Sequence, residues 1–82
     1  KIKPLYDYIV VDVNDKKRIF PSLFNEKYVT AKALAVGCGT DGKMLVTPGD
    51  TVLFPVNSVI KAKVEGEDVS IISQTDVLAI VE

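Results

Sequence analysis

Short apolar runs of period two, each ended by residues suited to a tight turn, dominate the chain, and no segment sustains the period of a helix. Residues 5–13 are rich in β-branched and aromatic side chains around Tyr8-Ile9-Val10-Val11. Residues 29–36 alternate Ala31, Ala33 and Ala35 with Lys32, Leu34 and Val36, which predicts one small-residue face with a close neighbour. Residues 51–56 form a third run. In the fourth, 58–64, Ile60, Ala62 and Val64 alternate with Lys61, Lys63 and Glu65, as in a half-buried strand. A fifth run, 68–73, carries Val69 and Ile71 on one face, and residues 77–81 make a short sixth.

The connectors agree with this reading. Asp41-Gly42 is a favoured tight-hairpin pair. Thr47-Pro48-Gly49-Asp50 suits a type II turn, because proline presets φ at the second position and glycine supplies a positive φ at the third. Glu65-Gly66-Glu67 turns the next hairpin, and Ser73-Gln74-Thr75-Asp76 suits a single helical turn. Short strands so spaced predict an all-β barrel or sandwich, a single domain over residues 1–82.

A chain of 82 residues buries only about 60–65% of its unfolded surface, and such domains gain stability from a disulfide, a metal or self-association. Cys38 is the only cysteine and there is no histidine, so the first is impossible and the second poorly supplied. Self-association is the remaining staple. Ten basic and eleven acidic residues are mixed along the chain, and Arg18 is the only arginine. Nothing forms the basic stripe that a phosphate backbone requires, so no nucleic acid is expected as partner. The longest apolar run, Val77-Leu78-Ala79-Ile80-Val81, is far short of a membrane span. The first residues lead almost directly into a strand pattern, leaving no room for a signal peptide, and with one thiol the cytoplasm is the expected compartment.

The sequence supplies no catalytic machinery. Without histidine, Ser/His and Cys/His nucleophile pairs are excluded. Cys38 lies between Gly37 and Gly39 with no charge beside it to activate the thiol. Gly37 to Lys43 imitates a phosphate loop, but Met44 stands where the magnesium-holding hydroxyl belongs and no helix pattern follows. Glu65, Glu67 and Asp68 flank a turn without apolar enclosure, and Asp7, Asp12 and Asp50 sit at strand edges or turns. The expectation is a protein that is no enzyme and holds no metal or cofactor.

One connection stands apart. Residues 14–27 begin with the charged Asn14-Asp15-Lys16-Lys17-Arg18, continue with the apolar Ile19-Phe20-Pro21-Ser22-Leu23-Phe24 and end in Asn25-Glu26-Lys27. A connection this long in a small domain is usually functional or disordered, and Pro21 argues against a central strand. Two readings fit the composition: a recognition segment ordered by a partner, or a lid folded back on the barrel.

Several segments together resemble the GroES family of co-chaperonins. Ile2-Lys3-Pro4-Leu5-Tyr6-Asp7 followed by Ile9-Val10-Val11 is similar to the family's opening motif, and Leu34-Ala35-Val36-Gly37-Cys38-Gly39 to its central L-A-V-G-x-G. Pro48-Gly49-Asp50-Thr51-Val52-Leu53-Phe54 resembles its G-D-x-V-x-F strand. Residues 67–71, then Asp76-Val77-Leu78-Ala79-Ile80-Val81-Glu82, resemble its C-terminal signature. The matches fall in order and span nearly the whole chain.

The resemblance implies an irregular β-barrel that assembles into a ring, seven-membered in this family, and caps the apical domains of a GroEL-type chaperonin over an unfolded client protein. It implies that first and last strands of neighbouring copies pair, here Ile2, Lys3, Pro4 and Leu5 with Val77, Leu78, Ala79, Ile80 and Val81. It places the family's mobile loop on residues 14–27 and its chaperonin-binding tripeptide on Ile19, Phe20 and Pro21, with Leu23 and Phe24 as a second candidate pair. On this basis the recognition segment is favoured over the lid.

Three departures qualify the match. The loop is shorter, with Arg18 in place of a glycine before the tripeptide; the roof hairpin is reduced to residues 40–47; and Asn57-Ser58 stands where a roof tyrosine belongs. A shortened roof predicts a wider opening or taller cavity, as in a specialised, viral co-chaperonin adapted to an unusual client. The competing expectations are a monomeric β-barrel module that binds an unrelated partner through residues 19–24 and, more remotely, a fragment of the barrel of zinc-dependent alcohol dehydrogenases.

Overall fold

The β-branched and aromatic run near the start forms β1 (Tyr8–Asp12), which lies between two other strands. The computed structural model describes residues 2–12, 19–21 and 27–82, with side chains for 2–12 and 28–82. After β1 come β2 (Ile19–Pro21), β3 (Lys27–Val36), β4 (Thr51–Pro55), β5 (Ile60–Val64), β6 (Glu67–Ser73) and β7 (Ala79–Val81). No α-helix occurs among the described residues. All pairings are antiparallel and follow the order β5-β6-β1-β3-β4-β7, while β2 pairs with β3 alone. The fold is all-β, as expected.

The connectors take the geometries that their residues favour. Asp41 (φ 58°) and Gly42 (φ 73°) close a type I′ turn with the Lys43 N–H donating to the Thr40 carbonyl at 3.3 Å. The turn type is the expected one, but no paired strands flank it, so it is not a hairpin. Gly49 (φ 99°) sits at the third position of a turn closed by Asp50 N–H to the Thr47 carbonyl at 3.1 Å. Single 3₁₀ turns occupy Val56–Ser58 and Gln74–Asp76, the latter capped by the Ser73 hydroxyl.

Strand β1 begins three residues later than the composition predicts. The chain reverses at Tyr6 (φ 56°), closing with the Tyr8 N–H on the Leu5 carbonyl at 3.0 Å. Gly37 lies against this turn so closely that a Cβ there would meet the Tyr6 carbonyl oxygen.

One face of the sheet carries the core. Ile9 and Val11 from β1, Val29, Ala31 and Ala33 from β3, Val52 and Phe54 from β4, Ile72 from β6 and Val46 form one buried cluster. Phe54, Ile9, Ile72 and Val52 are almost wholly buried, and neither an α-helix nor a second sheet covers them among the described residues. Met44, Val59 and Val77 from the connections pack against the cluster and help to cover it. This is the irregular barrel. Phe54→Ala removes the largest fully buried side chain and should cost about 3–5 kcal/mol. Denaturant unfolding at fixed protomer concentration measures it, and a loss below about 1 kcal/mol would be too small for a fully buried Phe.

Two faces differ from expectation. Val10 pairs with Ala35 but Val11 with Ala33, so Leu34 is an extra residue, a β-bulge that reverses the inward phase of β3. Ala31 and Ala33 point into the core, Val36 takes the next inward place, and Ala35 lies with Val10 on the outer side. The alanines do not share one face. Strand β5, expected to be half-buried, is exposed along its whole length. Its apolar residues turn away from the core: Ile60 stands opposite Ile71 and Ala62 opposite Val69, while Ile71 stands opposite Val10. Within β6, Ile72 is the core residue.

Candidate functional site

Neither a buried polar side chain nor a cluster of acidic or thiol groups able to hold a metal occurs among the described residues. Cys38 is exposed, its thiol donating to the Gly39 carbonyl at 3.6 Å. No helix of the described residues is long and apolar enough to cross a membrane. What the fold offers is surface and strand edge.

The two ends of the sheet are β5 and β7. Among the described residues, strand β7 bonds to β4 on one side only, with Thr51 opposite Val81, Val52 opposite Ile80 and Leu53 opposite Ala79. Leu78, Ala79, Ile80 and Val81 are exposed, whereas Val77 turns in to pack on the core. Ile2, Lys3, Pro4 and Leu5 form no strand within the single chain. Pro4 is buried, Lys3 and Leu5 are exposed, and Ile2 is half-buried.

Ile2 also lines a groove of about 280 Å³ on the outer face, together with Val10, Leu34, Val64 and Val69. Glu65, Glu67 and Asp68 stand on its border. Sequence reasoning missed this second apolar face. The signal was present in Ile60, Ala62 and Val64, but it was assigned to the core side.

Ile19, Phe20 and Pro21 form β2, whose backbone runs antiparallel to the start of β3, with Ile19 opposite Val29, Phe20 opposite Tyr28 and Pro21 opposite Lys27. Among the described residues strand β2 pairs on one side alone, a position that a proline tolerates. Leu23 and Phe24 lie outside the described residues, as do residues 13–18.

Comparison with known proteins bears on the family of the chain. The family model described as "Chaperonin 10 Kd subunit" matches residues 1–81. The co-chaperonin GroES of Clostridium novyi (strain NT) is 40% identical over 93 residues, covering all of this chain and 99% of the relative. That of Clostridium botulinum (strain Hall) is 37% identical over 92 residues, covering 99% of this chain and 97% of the relative. An alignment of 93 positions holding all 82 residues leaves 11 positions empty in this chain. These relatives are bacterial and lend the viral reading no support. Matched over nearly its whole length by the family model and by these relatives, the chain belongs to the chaperonin 10 kDa subunit family.

Proposed function

We propose that this chain is a ring-forming co-chaperonin lid in a bacterial cytoplasm. It caps an ATP-dependent chaperonin through residues 14–27 and encloses client protein. It does no chemistry of its own; the nucleotide belongs to the chaperonin.

The observation that carries the ring is the placement of two different surfaces at separate places on the subunit, the edge of β7 and the segment ahead of β1. Strand β7 has an open edge with exposed Leu78, Ile80 and Val81. Residues 2–5 pair with no strand among the described residues, and Ile2 lines the groove with Val10 and Val64. A surface of one kind that fits a surface of another kind makes a head-to-tail contact, and such contacts close into rings when the rotation permits. In this reading Val77, Leu78, Ala79, Ile80 and Val81 of one copy meet Ile2, Lys3, Pro4 and Leu5 of the next. An exposed β-edge is a liability unless paired, and pairing here builds the assembly. The ring has seven members, as the resemblance implies.

Ile19, Phe20 and Pro21, with Leu23 and Phe24 as the second pair, contact the chaperonin's apical domains. Because Ile19–Pro21 pair with β3 in the single chain, docking in this reading rearranges a segment already paired, and such a rearrangement loses about 2–5 kcal/mol of the gross interaction energy, so one loop binds weakly. Several tethered copies act at high effective concentration and turn weak contacts into firm capping. Weak individual contacts also permit release when the chaperonin changes nucleotide state.

Purified protein mixed with a chaperonin and ATP should co-migrate with it through gel filtration and separate from it without nucleotide. A chain that stays monomeric at micromolar concentration and never co-migrates would overturn the assignment in favour of the monomeric interaction module.

A further inference from the structure

The turn before β7 holds a side chain that neither the ring nor the capping loop uses. Gln74 Nε2 donates to the Lys43 carbonyl at 3.2 Å, and its Oε1 accepts from the Leu45 N–H at 2.6 Å. Bonding to the carbonyl of one residue and the amide two residues further on is what one residue of a parallel strand does to its neighbour through its own N–H and C=O. The Gln74 carboxamide presents the same donor and acceptor on one side, and here it takes the place of a strand residue. Residues 43–47 belong to no strand of the sheet.

The same residue is anchored on its other side. The Gln74 backbone N–H donates to the Asp7 carbonyl at 2.7 Å, and the neighbouring Ser73 hydroxyl donates to Asp7 Oδ2 at 2.9 Å. Three segments distant in sequence thus meet on Gln74: the turn ahead of β1, the shortened roof segment and the turn that enters β7. Along the roof segment Met44 and Val46 pack on or in the core while Leu45, between them, is 78% exposed.

We propose that Gln74 is a positioning residue that fixes the shortened roof segment to the turn leading into β7, doing with one side chain what a paired strand would do. The clamp holds Met44 inward and Leu45 outward and so sets the lip of the cavity relative to the subunit joint. The word "lip" rests on the co-chaperonin reading; the clamp does not, because every contact in it lies within one chain.

Amide exchange by NMR, on the full chain in its native assembly, tests it. In Gln74→Ala the Leu45 amide should exchange about tenfold faster, the effect of one net hydrogen bond, with β1 and β3 amides unchanged. Leu45 protection equal to that of the parent protein would overturn the proposal. Should Gln74→Ala lose protection throughout, Gln74→Glu decides. Its carboxylate still accepts from Leu45 but brings no hydrogen to the Lys43 carbonyl, so Leu45 protection is partial at neutral pH. Acidification through the ordinary glutamate range, near pH ~4.3, restores an O–H donor. Protection should then rise relative to the parent protein as pH falls, and a flat ratio would overturn the clamp. Exchange measured on monomer and on ring should agree, so failure of the ring leaves this test standing.

Discussion

Replacing Ile19 and Phe20 together by serine is expected to abolish capping of the chaperonin while the ring sediments unchanged. Each of these side chains gains about 1.5–3 kcal/mol when a partner buries it, and serine gains almost none of that. At about 1.4 kcal/mol per factor of ten, a pair of losses weakens each loop's contact by roughly two orders of magnitude or more. Every copy in the ring carries the same defect, so avidity multiplies the deficit instead of masking it. The ring is spared because the proposed joint uses other residues, and because β2 is held to β3 through backbone groups that serine retains. Co-migration with chaperonin and ATP reads the first effect, and sedimentation velocity the second. A matching Leu23→Ser, Phe24→Ser protein locates the contact: if that variant alone loses capping, the binding register lies further along the loop. Capping that survives in both would remove this apolar segment from the mechanism.

The parts of this fold that were legible in the sequence are those fixed by local chemistry. Asp41-Gly42, Pro48-Gly49 and Glu65-Gly66 have the positive-φ glycines that their turns need, and each turn formed where its residues stand. Gln74–Asp76 makes its single turn because Ser73 caps it. What was not legible depends on partners remote in sequence. The bulge at Leu34 is a property of the register between β1 and β3, and nothing in Ala33-Leu34-Ala35 announces it. Alternation in β5 revealed two unlike faces but not which one meets the core, since that is decided by how β6 lies on β1. The same holds for the candidate surfaces. The apolar run that contains β7 was visible as a short strand and its edge role only through the family resemblance, whereas residues 2–5 pair with no strand among the described residues. Gln74 meets Leu45 and Lys43 across separations of 29 and 31 residues, and only the folded chain shows that.

Proline at position 80 should dissolve the ring without unfolding its subunits. The Leu53 carbonyl accepts from the Leu78 N–H at 2.8 Å and therefore faces β7. In an antiparallel ladder a residue's N–H and C=O point to the same side, and successive residues alternate. Thr51 and Leu53 then face β7, and Val52 faces β3. Ile80, opposite Val52, turns its own N–H and C=O away from β4 toward the open edge. Ile80→Pro thus deletes a donor that the isolated subunit does not use, at an edge where proline is tolerated. A neighbour's strand paired there loses one hydrogen bond and keeps an acceptor with no partner, about 1–3 kcal/mol at each joint, and the proline ring crowds the approaching backbone as well. The loss recurs at every joint around the ring, so assembly fails steeply. Monomer at micromolar concentration by sedimentation, with far-ultraviolet circular dichroism retained, is the expected result, and capping should vanish with avidity. Ala79→Pro is the contrast: Ala79 stands opposite Leu53, so its N–H faces β4, and proline there should destabilise the subunit itself. An Ile80→Pro protein that still sediments as a ring would show that the open edge of β7 is not the joint.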